Sequence, residues 1–294
     1  MLRFQQALGI CLLVGSLSAP VNASVFSSLV DKAVTAGIEH AATLVTTSTG
    51  SSATRSGIDF PARCEQHYVD AKAPVILNPR LATAARHLCA DAFATLHSGV
   101  ARVPLYSAQY LTPGHIRAAQ EVGRSDSFFE DGRLSPGERA SLEHYKGSGF
   151  DRGHLAPSAD MPTPAADAQS FVLSNIVPQD PGNNRTVWAA VEAGVRAMAR
   201  HRPIYVITGV LWLESKITRI GGDAGVMVPS HLYKVVFDPS AHKGKGGAAA
   251  YLIENRSDRR ERQITVKELE AVAKIQFFPT RVEVAPIVLP RPRY

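Results

Sequence analysis

The sequence has little cysteine, 3 in 294 residues, and few aromatic residues, 7%. So few cysteines exclude a disulfide-dense small scaffold. No Cys/His cluster has the spacing of a zinc site, which argues against a structural zinc domain. No run reaches the about 20 apolar residues of a membrane-spanning helix. Charged residues are 20% and hydrophobic residues 45%, a balance foreign to a disordered chain, a collagen or a long coiled coil. There is no internal repeat. What remains is a chain long enough to bury a sizeable core. Its charge is lopsided: 32 Lys and Arg against 26 Asp and Glu, with a pI of about 9.3. That surplus favours an anionic partner, nucleic acid or a membrane surface, without choosing between them.

The first 23 residues read as an export signal. Met1-Leu2-Arg3 gives a positive start, an apolar run follows from Ala7 to Ala19, and Val21-Asn22-Ala23 places the cut after Ala23. An uncleaved anchor or a buried N-terminal helix is the alternative. The expectation is an exported protein, periplasmic or secreted, with no membrane span. Cleavage removes Cys11 and one base, Arg3, lowering the net charge from +6 to +5. Cys64 and Cys89 remain and suggest one disulfide; two buried free thiols are the alternative.

Along the rest of the chain, Val25 to Val45 has the apolar period of an amphipathic helix, and Thr46 to Ser56 reads as a Ser/Thr linker. Residues 24–57 therefore precede a main domain over 58–294. Within it, Leu81 to Leu96 predicts a helix, Val103 to Tyr110 a strand, and Ser135-Pro136-Gly137-Glu138 the start of a helix towards Tyr145. Phe171 to Val177 is a short apolar run, and Thr186 to Arg200 predicts a helix. Ile204–Val210, Val226–Val228, Leu232–Phe237 and Ala248–Ile253 predict strands. Strands and helices mix without a βαβ period, so the fold class is α+β, a central antiparallel sheet flanked by helices. Residues 289–294 read as a mobile basic tail. Lys243-Gly244-Lys245 lacks the setting of a phosphate loop, and the histidines outside the segment below show no partner pattern.

That segment is Asp151-Arg152-Gly153-His154, followed by Ala156-Pro157. Histidine takes a proton near neutral pH, and arginine offers a donor fork matched to phosphate. Alone the pair is as readily a loop with a surface ion pair. Downstream come Ser174-Asn175, Pro178-Gln179, Asn184, Trp188, Glu192 and Arg196. Read as a helix, Trp188, Val191, Val195 and Met198 form one apolar stripe. Asn184 then suits a cap, and Glu192 and Arg196, four apart, suit an ion pair. A metal reading competes with these. Mg²⁺ takes oxygen ligands and keeps several waters. Asn184 and Glu192 lie about 12 Å apart along a helix. That spacing suits one direct ligand and one carboxylate that orients a metal-bound water.

This set of residues, in this order, resembles the DNA/RNA non-specific endonuclease family, the Serratia-nuclease type with a ββα-metal site. The likeness runs from about Ile58 to about Ile253. It implies His154 as general base, Asn184 as the single direct Mg²⁺ ligand, with Mn²⁺ as a substitute, and Arg152 near the phosphate. It implies Glu192 as holder of metal-bound water. Asp151 joins the catalytic set, and Arg124, Asn175 and Arg196 are substrate-side candidates. The implied activity is hydrolysis of DNA and RNA by a water activated at His154, leaving 5′-phosphates. The alternatives are a catalytically silent nucleic-acid-binding module, and a secreted toxin with an inhibitor protein as partner.

Overall fold

The computed structural model describes residues 58 and 60–294. The expected signal over 1–23 and the helix and linker over 24–57 lie outside the described residues. The main sheet is built from β1 (Ala85–Cys89), β2 (Ala94–Ser98) and β3 (Val103–Leu111). A separate hairpin follows, β4 (Asp151–His154) with β5 (Ile176–Gln179). The main sheet resumes with β6 (Ile204–Leu211), β7 (His231–Asp238), β8 (Gly247–Glu254) and β9 (Arg262–Ile264). Its spatial order is β9-β8-β7-β6-β3-β2-β1, antiparallel throughout, and Ala285–Pro286 pairs parallel with β8. The longer helices are α1 (Pro113–Ala119), α2 (Pro164–Ser170), α3 (Ala189–Ala199) and α4 (Val266–Ala273). The expected α+β class and central antiparallel sheet are observed.

The central strands carry long apolar runs because both sheet faces are covered. On one face Val191, Val195 and Met198 of α3 pack on Val206, Val236 and Tyr251. Those helix residues are three and four apart, the spacing that puts them on one stripe. α4 starts at a capping box, Thr265 with Glu268, and contributes Leu269 and Val272 to the larger core. Among the described residues no helix is long and apolar enough to cross a membrane.

Several expectations need correction. Leu81 to Leu96 is not one helix: a short turn of helix over Pro79–Ala82 is followed by the hairpin β1–β2. Ala and Leu favour helix only weakly, and sheet pairing outweighs that preference. The turn is closed by the Ala90 N–H donating to the Phe93 carbonyl, and Gln169 accepts the Asp91 N–H at 2.8 Å. Ser135 to Glu138 forms a turn, and the helix starts only at Leu142, capped by Ser141 with His144. Glu138 still accepts from the Ser135 hydroxyl at 3.1 Å, but its other oxygen pairs with Arg86 at 2.8 Å and the turn ends there. The terminal segment is docked rather than mobile: Leu289 is buried and exchanges hydrogen bonds with Gln263, and Tyr251 donates to the Pro290 carbonyl. Cys64 and Cys89 form a disulfide, so the free-thiol alternative falls.

Candidate active site

β4 and β5 pair with His154 opposite Ile176 and Asp151 opposite Gln179. The hairpin closes tightly at Gly153, where an added Cβ would lie 2.0 Å from Gln179 Oε1, so no larger residue fits. The chain then leaves β5 into a helix whose cap is Asp180, which accepts the Asn183 N–H at 2.8 Å. Pro181 occupies the first helical position, where its missing N–H costs nothing. Asn184 is therefore not the cap expected from the sequence. It opens a turn of π-helix over Asn184–Trp188 that runs into α3. Such turns are rare and concentrate at functional sites. Two strands and a helix thus carry His154, Asn184 and Glu192 on one continuous motif.

Asp151 fixes Asn184. The Asn184 amide nitrogen donates to Asp151 Oδ2 at 2.9 Å, and Arg185 donates to both Asp151 oxygens at 2.9 and 2.6 Å. A carboxylate only accepts, so the amide NH₂ must face it and the carbonyl Oδ1 points elsewhere. Burial works to raise the Asp151 pKa, but the bonds from Arg185 and Asn184 outweigh it and hold it below the usual carboxylate range. Asp151 is therefore an orienting group rather than a proton carrier. Asn184 is half-buried and offers one aimed oxygen. Among the described residues no three His, Cys, Asp or Glu gather as a metal cluster. A lone amide oxygen fits a hard cation that keeps most of its waters.

His154 sits in a cage of rings and cations. Its ring stands edge-on to Phe171 at 4.9 Å and tilted to Phe128 at 5.4 Å. The Arg152 guanidinium lies 4.3 Å over Phe128, and that of Arg124 lies 4.9 Å over Phe171. Burial first, then the Arg124 charge, pushes the His154 pKa down to about 3; Asp126 opposes and Arg152 adds to the fall. Its Nε2 is buried with no hydrogen-bond partner. Unmade bonds of this kind are rare in a fold and call for a functional explanation. The structure brings Arg124 to His154 although sequence spacing could not fix its place. Phe128 and Phe171 were missed; Phe128 stands four residues after Arg124, but nothing local marks Phe171 as a neighbour of His154.

At the other end of the motif burial pushes the Glu192 pKa up, opposed first by Lys234 and then by Arg196. The expected Glu192–Arg196 ion pair does not form: Arg196 pairs with Asp160 at 3.0 Å. Arg196 and Arg124 instead line one cleft of about 300 Å³, with Ser158 and Arg200. Asn175 is corrected from a substrate contact to an internal clamp. It is fully buried, its Oδ1 accepts from Ser107 and the Ala156 N–H, and its Nδ2 donates to the Ala156 and Ser170 carbonyls, all within 2.9–3.0 Å. It thereby pins the turn directly after His154. Lys234 was also missed, though a lone lysine in Leu232-Tyr233-Lys234-Val235-Val236-Phe237 was a visible anomaly.

A hairpin-plus-helix motif that presents histidine, one amide oxygen and unpaired arginine is the layout of a ββα-type nuclease. The model of the DNA/RNA non-specific endonuclease family matches residues 75–283, and the chain belongs to that family, whose members hydrolyse nucleic acid. Nuclease C1 of Cunninghamella echinulata var. echinulata is 33% identical over 193 residues, 60% of this chain and 76% of that protein. Human mitochondrial nuclease EXOG is 33% identical over 186 residues, 56% of this chain and 50% of its own length. The mitochondrial nuclease of Saccharomyces cerevisiae is 29% identical, over 60% of this chain and 58% of its own. The chain thus spans about half to three quarters of these relatives. A solved structure of EndoG with its inhibitor EndoGI superposes with TM-score 0.61 and 29% identity, covering 66% of this chain and 85% of that one.

These relatives also correct the expected location. The periplasmic or secreted placement rested on residues 1–23 alone, whereas the human and mouse EXOG nucleases and both yeast relatives are mitochondrial. A leader is an address read by a receptor, independent of the fold behind it, and a short basic-then-apolar start does not define one compartment.

Proposed function

We propose that this enzyme is a Mg²⁺-dependent endonuclease that cuts DNA and RNA with little sequence preference and leaves 5′-phosphates. The observation that supports it most is the Asp151–Asn184 hydrogen bond, which aims a single amide oxygen on the same motif that carries His154. When bound there, Mg²⁺, or Mn²⁺ in its place, supplies Lewis-acid neutralisation of the scissile phosphate and leaving oxygen.

His154 takes the proton of the attacking water. In the free enzyme its basicity is suppressed first by burial and then by the charges of Arg124 and Arg152. A phosphate seated against Arg152 offsets the charge share of that suppression, Arg124 being already paired with Asp126, and so raises the basicity of His154 once substrate is in place. Arg152, exposed and in no ion pair among the described residues, stabilises the charge growing on the phosphate. Glu192 orients water at the far end. Water as nucleophile needs no 2′-hydroxyl, and phosphate contacts carry no base information, so both nucleic acids serve. An inhibitor protein is a proposed partner by extension from the EndoG complex.

Plasmid nicking tests this reading. With Mg²⁺, supercoiled DNA and single-stranded RNA are both degraded to ends that polynucleotide ligation shows to be 5′-phosphorylated; chelator stops both. Cleavage that persists in chelator, or activity on RNA alone, overturns it.

A further inference from the structure

Lys234 lies in the middle of β7, in the centre of the main sheet, and is 1% exposed. Lysine is almost never fully buried unless something charged answers it. Strand register explains where it points. Lys234 is opposite Thr208 on one side and Tyr251 on the other, Thr208 is opposite Ser107, and Ser107 is opposite Thr95. These side chains form one polar row across the sheet, on the face that α3 covers. Ser107 in this row donates to Asn175, the clamp behind His154. Lys234 Nζ donates to Thr208 Oγ1 at 2.5 Å and lies 5.2 Å from the Trp188 ring. Trp188 is one helical turn before Glu192, and its buried indole N–H acts on that carboxylate without completing a hydrogen bond of full geometry.

Four charges meet here: Lys234 and Arg196, Glu192 and Asp160. Asp160 is already held by Arg196 at 3.0 Å. Glu192 has no ion pair among the described residues, and its charge acts on Lys234 more strongly than that of Asp160 does. Thr208 supplies an acceptor but no negative charge, and cannot by itself account for a cation at this depth.

We propose that Lys234 is a positioning residue for the reaction, holding the Glu192 carboxylate from beneath through the first turn of α3. This rests on the reading of Glu192 as part of the site. The row makes the sheet a common support: Ser107 reaches the His154 end through Asn175, and Lys234 reaches the Glu192 end.

A double-variant cycle tests it. Lys234→Met keeps the stem and removes the charge. It lowers kcat at least about tenfold while KM for duplex DNA stays within about twofold. In a Glu192→Gln background, assayed at high enzyme concentration, the same change alters kcat less than about twofold. The double variant melts above Lys234→Met alone, because the surplus buried negative charge is gone. Should Lys234→Met fail to fold, Thr208→Val carries the same cycle, with kcat at least about threefold lower only where Glu192 is present. Equal losses in both backgrounds, or unchanged kcat in Lys234→Met, overturn the proposal. If the parent enzyme does not cut nucleic acid, the functional reading fails on its own, and the melting comparison still decides whether Lys234 and Glu192 are coupled.

Discussion

At one end of the site His154 lies among Phe128, Phe171 and the guanidiniums of Arg124 and Arg152, with Asp126 the carboxylate among the described residues that acts on it. At the other, Glu192 belongs to a group in which two anions and two cations cancel: Glu192 and Asp160 against Lys234 and Arg196. The first end is left short of negative charge and of a hydrogen bond, which on the proposed function the substrate phosphate and the attacking water supply. The second balances in charge without substrate, although Glu192 itself makes no ion pair among the described residues. A site built this way binds an anion by relieving an imbalance at one end while the other stays fixed.

The largest expected effect breaks the first end. His154→Ala lowers the cleavage rate about 10²–10⁴-fold, the usual worth of a general base. The variant also loses the packing of the ring on Phe128 and Phe171, so melting is followed beside the rate and the rate is read on folded protein. Initial rates of plasmid nicking at saturating Mg²⁺ measure this; a rate within threefold of the parent removes His154 from the mechanism. A smaller effect probes what joins the ends. Asp151→Asn leaves the Asn184 amide free to turn, so half-maximal activity needs about 10–100-fold more Mg²⁺. A metal titration followed by nicking rate reads this directly, and an unmoved midpoint refutes the orienting role.

Sequence and structure agree best where chemistry and periodicity coincide. Ile204–Val210 and Leu232–Phe237 are β-branched and aromatic, and each is a central strand almost to the residue. Asp151 to His154 and Asn184 were legible as chemistry. Their geometry was not, because Asp180, rather than Asn184, starts the helix and the π turn then resets its phase. Partners distant in sequence were beyond reach. Nothing local says that Arg196 chooses Asp160, 36 residues away, over Glu192 on its own helix. The hairpin at 85–98 was misread for a related reason: Ala-rich local preference is weak, while its pairing is set by strands and a disulfide elsewhere in the chain.

Acid sharpens the comparison further, because the two ends titrate with opposite sign. The His154 pKa falls from 6.5 in the unfolded chain to about 3 in the fold. Below pH 6.5 the unfolded state takes up a proton that the folded state refuses, so stability contributed at neutral pH is lost as pH falls through that window. His67 and His231, both pushed down to about 4, and His87, His97 and His144, also lowered, act in the same direction. Glu192 acts the other way: burial raises its folded pKa, so the cost of its charge is relieved as pH drops towards the unfolded value. Melting temperature should therefore decline steadily from pH 6.5 to pH 4.5, before depressed carboxylates such as Asp131 begin to protonate. His154→Leu should recover on the order of 1 kcal/mol of that decline, roughly 2–4 °C in a domain of this size. Glu192→Gln should steepen it, by removing the opposing titration. Parallel curves for parent, His154→Leu and Glu192→Gln would show that the two ends do not differ in the way their surroundings indicate.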